Sequence, residues 1–327
     1  MATAGTPAAT KDRLKGLGKG LRLPLLAAPM FLVSGPKLVL AACHAGIGAS
    51  MPAPNARTVE TLEAWLAEIS NEHAAASAVP GAKVGPWALN LVTHSSYDRL
   101  DAELELVERF KPPFVITALG SPQRVVERVH AYDGLVFADV NSMTLARKAA
   151  ATGVDGLVLV SAGSGGHTGK ISAFAFVAAV RAFFGGIIVV GGSIGSGRAI
   201  RAAELLGADL AYAGTPFIVA EESLASPTYR QMVERATVED LVLTKAFSGA
   251  DAWYLRESIV AAGLDPDALV GKTRMDLKNS QSQFKAWKDI WSAGQGVGTV
   301  VKTEPTAAIV ERLVAEYAEA VKLPAFG

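Results

Sequence analysis

At 327 residues, half of them hydrophobic and 19% charged, the chain is too apolar for a disordered protein and too large for a small disulfide scaffold. Its 31 Lys and Arg balance its 31 Asp and Glu, and this zero net charge argues against a nucleic-acid binder or a membrane-surface protein. A single cysteine, Cys43, forms no disulfide within the chain, and no Cys/His group has zinc spacing, so no metal and a cytoplasmic setting are expected.

Residues 1–20 read as a flexible basic arm. Lys11, Arg13, Lys15, Lys19 and Arg22 lead into an apolar run at 23–33, a pattern that mimics a secretory signal. Pro24 and Pro29 break that run, and the helical core of a signal tolerates proline poorly. No other stretch reaches the roughly 18 consecutive apolar residues of a membrane span.

From residue 24 to about 220, short apolar runs alternate with helical stretches. Strands are predicted at 25–31, 46–49, 86–91, 114–119, 134–139, 156–160, 187–190 and 210–213. They are near-continuously apolar, as parallel strands covered on both faces are. Between them, Val59, Leu62, Leu66 and Ile69 mark one helical stripe. Ser121-Pro122 offers an N-cap and a first-turn proline ahead of Val125, Val126 and Val129. Asp133-Gly134, Gly153-Val154-Asp155 and Gly207-Ala208-Asp209 each close a helix and open a strand.

Eight such alternations predict an α/β fold, a (β/α)8 TIM barrel, with an open doubly wound sheet as the alternative. After Phe217 the alternation stops. Residues 226–303, with a turn at Asp265-Pro266-Asp267 and three tryptophans (Trp253, Trp287, Trp291), are expected to form a smaller helical cap or substrate domain. A last helix from Pro305 to about Lys322 would return to the barrel wall, so 21–225 and 304–327 form the barrel and the cap is inserted before its last helix.

Four Gly-rich signatures are testable. The stretch from Gly163 to Ile171 nearly imitates a Walker A loop, but Ser164 takes its first Gly position and Ile171 its metal-binding Ser/Thr position. Thr168 likewise spoils G-x-G-x-x-G, and Pro29-Met30-Phe31 follows the first strand where a dinucleotide fingerprint would stand. Gly191-Gly192-Ser193-Ile194-Gly195 matches a nucleophile elbow, yet His44, His73, His94, His130 and His167 all precede Ser193, so the usual triad order is unavailable. In barrels, loops after the seventh and eighth strands commonly hold phosphate. Gly191-Gly192-Ser193 and Gly214-Thr215 occupy those two positions. Glycines admit close backbone approach to phosphate oxygens, and Thr215 adds a hydroxyl.

His167 is the candidate catalytic residue. It follows the sixth strand among glycines that offer its side chain little packing, and an imidazole titrating near 6.5 suits proton transfer at neutral pH. His94, after the third strand, is a second candidate and would face substrate. Cys43, amid alanines, reads as core.

Ala27-Ala28-Pro29-Met30, Asn90, Gly165-Gly166-His167-x-Gly169, Gly191-Gly192, Gly214-Thr215 and the tail from Trp287 to Gly296 together resemble the nitronate monooxygenase family, formerly 2-nitropropane dioxygenases. The resemblance runs from about residue 22 to 320 and implies an FMN-containing barrel with a helical cap. It implies that the backbone at Ala28, Pro29 and Met30 lies against the isoalloxazine and that Asn90 bonds its pyrimidine edge. Gly191, Gly192, Gly214 and Thr215 would hold the FMN phosphate, and Asp139, Ala162 and Gly165 are assigned to the same cofactor. His167 matches the family's active-site histidine, a base or substrate-orienting group. The implied reaction is oxidation of a small alkyl nitronate by O2 to a carbonyl compound and nitrite.

Four positions depart from the family pattern. Gly163-Ser164 replaces the Glu-Ala of many members, Val160 stands where Gln is frequent, and Asp139 stands where some relatives carry a flavin-contacting Lys. An acid near a flavin disfavours its anionic reduced forms. Two other functions are therefore carried forward: an NAD(P)H-dependent FMN reductase of the enoyl-ACP or quinone reductase type, and a phosphate-ligand binding protein without redox chemistry. A homo-oligomer is compatible with the sequence.

Overall fold

The computed structural model describes Gly16, residues 18–271 and residues 289–324. The tail residues Trp287 and Lys288 and most of the basic arm, including Lys11, Arg13 and Lys15, lie outside the described residues.

Each apolar run becomes a strand because both of its faces have something to cover. The barrel strands are β1 (Leu25–Ala27), β2 (Gly48–Pro52), β3 (Trp87–Val92), β4 (Phe114–Ala118), β5 (Leu135–Val140), β6 (Gly156–Val160), β8 (Ile187–Gly191) and β9 (Leu210–Ala213); a two-residue strand β7 (Gly166–His167) lies between β6 and β8. All eight barrel strands pair in parallel, and β1 closes the circle by pairing with β2 on one side and β9 on the other. Residues of one parity, among them Leu26, Phe114, Phe137, Val158 and Val189, fill the lumen. Their neighbours of the other parity, such as Leu89, Val115, Val136 and Leu159, meet the surrounding helices. That is the (β/α)8 TIM barrel the sequence led us to expect.

The wall helices are α1 (Pro36–His44), α2 (Val59–Ser77), α3 (Leu100–Phe110), α4 (Gln123–His130), α5 (Met143–Ala150), α6 (Ala173–Arg181) and α7 (Gly197–Leu205). The helix expected at Ser121-Pro122 begins one residue later, with Ser121 Oγ accepting from Gln123 N–H at 3.3 Å. The recurring aspartates do more than start turns. Asp155 Oδ2 accepts from the β5 amide of Val136 (2.9 Å) and meets His130 Nε2 (2.8 Å), while Asp209 Oδ2 accepts from the β8 amide of Ile188 (2.8 Å) and pairs with Arg181. Each carboxylate thus ties its own strand to the start of the preceding one at the N-terminal face.

Two expected boundaries are corrected. β1 stops at Ala27 rather than continuing to Phe31, because Met30 C=O turns back to accept from Val33 and Ser34 N–H and Leu32 adopts a left-handed φ of 60°. β2 starts at Gly48 instead of residue 46, since Gly46 (φ 85°) still belongs to the turn out of α1.

Beyond β9 lie α8 (Thr215–Ile218), α9 (Pro227–Arg235), β10 (Leu241–Thr244), β11 (Ala252–Leu255), α10 (Arg256–Ala261) and α11 (Thr306–Val321). The segment expected to be helical therefore also carries strands: β10, β11 and β7 form a three-stranded antiparallel sheet. These strands are short, β10 is half-exposed, and the third, β7, comes from a distant loop, so no local pattern announced them. The final helix α11 returns to the barrel against α7, so closely that a Cβ on Gly197 would lie 2.2 Å from Tyr317 N. Glu316 Oε2 accepts from Gly197 N–H (2.7 Å) and so fills the N-terminus of α7 with a carboxylate from α11. Cys43 is fully buried in α1, and burial pushes its thiol far above the usual range. Among the described residues no helix is long and apolar enough to cross a membrane.

Candidate active site

The C-terminal ends of the barrel strands carry three structural groups: a pinned loop, a polar floor and interlocking glycine loops. The loop after β1 holds Ala28, Pro29 and Met30. Ala28 N–H donates to Ala213 C=O (2.9 Å), and Ser34 Oγ accepts from Met30 N–H (3.0 Å). Asn55 fastens the loop from the side, its Nδ2 donating to Met30 C=O (2.9 Å) and Ser34 C=O (2.7 Å) while its Oδ1 accepts from Leu32 N–H (2.9 Å). Sequence reasoning missed Asn55; its place in a Pro-Asn turn after the second strand was the one available signal.

The floor is the last polar layer of the lumen. Asn90 is buried on β3, and its Nδ2 donates to Ile116 C=O at 3.1 Å. Asp139 lies near the end of β5, where desolvation raises its carboxyl to about 7; Oδ1 is buried with no hydrogen-bond partner among the described residues. Tyr212, buried on β9, is pushed well above the usual phenol range by burial and then by the charge of Asp139. Tyr212 also escaped the sequence reading, because a tyrosine in a barrel strand looks like core.

The glycine loops interlock. Ser161 Oγ donates to Gly191 C=O, and Ser164 Oγ donates to Ser161 C=O (2.9 Å). Gly163 C=O accepts from Gln295 N–H at 2.9 Å, while Thr215 Oγ1 accepts from Gly294 N–H at 2.9 Å. A Cβ on Gly192 (φ 124°) would sit 2.3 Å from Ser161 Oγ, and one on Gly165 would sit 2.7 Å from Gly294 N. Ser193 follows in the left-handed region at φ 59°, a conformation that costs a non-glycine residue on the order of 1 kcal/mol. The Ser193 N–H donates to Gly163 C=O (3.4 Å), which ties the loop after β8 to the loop after β6.

The structure thus brings Gly192, Ser193 and Thr215 together with Gly163, Gly165, Gly294 and Gln295. Ala162 joins this loop cluster through its N–H to Ile171 C=O (2.8 Å). Gly191 ends β8, under the Ser161 hydroxyl. Gly214 instead faces the first loop, where an added Cβ would lie 3.2 Å from Met30 Sδ. Ser161, Gly294 and Gln295 were not singled out as ligands from the sequence, because their partners lie in other loops. The α7 N-terminus, already capped by Ser196 Oγ on Ala199 N–H and by Glu316, has its first amides engaged.

His167 sits on β7 and is placed by strand pairing rather than by its own loop: it is registered against Ala252 of β11, and Thr168 N–H donates to Asp251 C=O (3.0 Å). Burial lowers its pKa below the ordinary histidine value, so the imidazole is neutral at pH 7. His94 is half-buried in a turn after β3, its Nδ1 accepting from Ser96 N–H (3.2 Å) and lying 2.8 Å from Ser96 Oγ. His73 meets Gly85 C=O at 2.9 Å, and His130 belongs to the Asp155 strut. Among the described residues no three His, Cys, Asp or Glu side chains gather as a metal site.

Residues 18–316 match the profile of the nitronate monooxygenase family. The chain is 29% identical over 223 residues to Rv1533 of Mycobacterium tuberculosis, spanning 63% of this chain but only 60% of that protein. It is 27% identical to a nitronate monooxygenase of Pseudomonas aeruginosa, covering 91% of this chain and 97% of the relative. The solved nitroalkane oxidase of Streptomyces ansochromogenes superposes with a TM-score of 0.76 over 94% of this chain and 99% of that one; at 24% identity this likeness speaks for the fold. With a family profile spanning nearly the whole barrel and cap, the chain belongs to the nitronate monooxygenase family, a family of flavin-dependent oxidoreductases.

Proposed function

We propose that the chain binds FMN across the C-terminal mouth of the barrel and oxidises small alkyl nitronates with O2, giving a carbonyl compound and nitrite. The observation that carries this reading is a half-buried histidine, its pKa lowered by desolvation, at the same barrel end as the glycine loops and an acid oxygen with no hydrogen-bond partner among the described residues. The residues present suit the cofactor. Only glycine fits at Gly192 and Gly165, where a Cβ would collide with Ser161 Oγ and Gly294 N, so the loops draw together around the strand ends, and Asp139 Oδ1 is a buried polar atom with no hydrogen-bond partner among the described residues.

In this reading Gly191, Gly192, Ser193, Gly165 and Thr215 hold the phosphate, with Ala162 beside them. Ala28, Pro29, Met30 and Gly214 back the ring, and Asn90 and Asp139 meet its polar edge. Bound FMN supplies the electron acceptor that takes a pair from the nitronate and hands it to O2. His167, neutral, presents one donor and one acceptor nitrogen, so it can orient the nitronate oxygens or take a proton from the carbon acid. The segment 226–303 acts as the substrate domain, because β11 carries the backbone that fixes His167. His94 remains a substrate-side candidate.

Anaerobic mixing tests this reading. A nitronate is expected to bleach the visible absorbance of the flavin, and NADH or NADPH to leave it unchanged. Rapid bleaching by NADH alone would favour the FMN reductase instead. A colourless protein that FMN cannot reconstitute would favour a phosphate-ligand binder.

A further inference from the structure

The lumen is apolar from its base to the level of Phe137 and Val189 and turns polar only at its C-terminal end. Strand parity sets the polar side chains there: Ser50 between the outward-facing Ala49 and Met51, Asn90 between Leu89 and Leu91, and Asp139 two residues beyond Phe137. Tyr212 belongs to the same interior cluster. Ser50 Oγ donates to Ala27 C=O (3.0 Å), and Asn90 Nδ2 donates to Ile116 C=O (3.1 Å). Asp139 Oδ1 reaches no such partner among the described residues. Beside it stand Val158, its registered partner on β6, and Ala118 at the end of β4, one step past the Thr117–Ala138 pair, both apolar. Burial alone raises the Asp139 carboxyl, with no cation contributing, and the titratable group coupled to its charge is the Tyr212 phenol. A carboxylate held without a counter-ion costs several kcal/mol, whereas a residue needed only for packing would be aliphatic like its neighbours.

Resting on the FMN reading above, we propose that Asp139 is the proton acceptor that accompanies reduction of the bound flavin. The electron pair, delivered by the nitronate, enters the ring together with one proton and leaves the ring with a single negative charge. A second proton passes from solvent to the Asp139 carboxylate. Two electrons and two protons are taken up, and the negative charge that leaves the aspartate reappears on the ring, so the closed end of the lumen keeps its total charge. The physical cause is repulsion: a reduced ring and an ionised carboxylate cannot share one poorly hydrated site cheaply. With its carboxyl raised to about 7, Asp139 is ionised in part of the population at neutral pH, so one nearby negative charge is enough to protonate it.

The test uses flavin-loaded wild type, Asp139→Asn and Asp139→Glu, equilibrated with redox dyes over a range of pH. Above about pH 7, wild type and Asp139→Glu are expected to take up one proton more per electron pair than Asp139→Asn. This gives a steeper fall of potential with pH, by a further tenfold in the reduction equilibrium for each pH unit. Infrared difference spectra of the wild type should show a protonated carboxyl band growing in on reduction. Parallel potential–pH lines for wild type and Asp139→Asn overturn the inference. So does a wild-type spectrum without the carboxyl band, a reading that needs no variant to fold. Wild-type protein that neither carries nor takes up flavin overturns the proposed function too, whereas parallel lines in loaded protein leave that function standing.

Discussion

The two ends of the barrel treat aspartate in opposite ways. At the N-terminal face, Asp155 and Asp209 each meet a backbone amide and a basic side chain. At the C-terminal end, Asp139 Oδ1 finds no hydrogen-bond partner among the described residues. The first arrangement is that of a group whose task is finished when the chain folds. The second costs stability, and barrels of this kind keep stability at the bottom and chemistry at the top.

The largest effect expected to break this contrast is at the top. Gly192→Val puts a branched side chain where even a Cβ lies 2.3 Å from Ser161 Oγ, on backbone at φ 124°. Flavin should be lost completely on gel filtration while circular dichroism still reports the barrel.

Asp139→Asn should act in the opposite sense on stability. The folded carboxyl titrates near 7, above its unfolded value, so the wild type progressively loses stability as pH rises from about 4 to 7 and gains nothing from ionising. Urea unfolding of flavin-depleted protein at pH 7 should find the variant more stable, by up to roughly 4 kcal/mol, with no difference at pH 4.

His167→Ala should keep its flavin and lose on the order of a hundredfold in nitronate oxidation. The role proposed for His167 needs the neutral imidazole, and burial lowers its pKa, so wild-type activity should persist as pH falls through the ordinary histidine range near 6.5 and decline only below it. A pH–rate profile with an acid limb above 6.5 would contradict this.

The smallest effect belongs to the bottom. Asp209→Ala removes the acceptor of Ile188 N–H and the carboxylate partner of Arg181, which keeps its bonds to Gly186 and Gly207 C=O, and should cost about 2 kcal/mol in urea, with flavin content and potential unchanged. A variant that also lost flavin would erase the division between the two ends.

The barrel was legible because a doubly covered parallel strand has to be apolar on both faces. β6 and β9 fall at the expected bounds, Gly156–Val160 and Leu210–Ala213. The overrun of β1 shows the limit: Ala28, Pro29, Met30 and Phe31 continue the apolar run, and what bends the chain is the side chain of Asn55, invisible to any local window. The cap sheet failed for the same reason, since β7 has two residues and its partner lies far along the chain. At the site, glycines and His167 stood out by composition. The Thr215 hydroxyl was expected as well, whereas the hydroxyl of Ser161 and the backbone of Gly294 and Gln295 acquire their roles only when loops from three parts of the chain meet.

The pairing of His167 with Ala252 also sets an order of assembly. All eight barrel strands end by Ala213, so every strand of the barrel is made before β11, whereas α11, which packs on α7, is made last. The histidine is then already made yet has no strand to register against. A chain truncated just after α8 would lack β11, the Gly294-Gln295 turn and α11 together, so anchoring His167, locking the glycine loops and sealing the wall are all the work of the last third of the polypeptide.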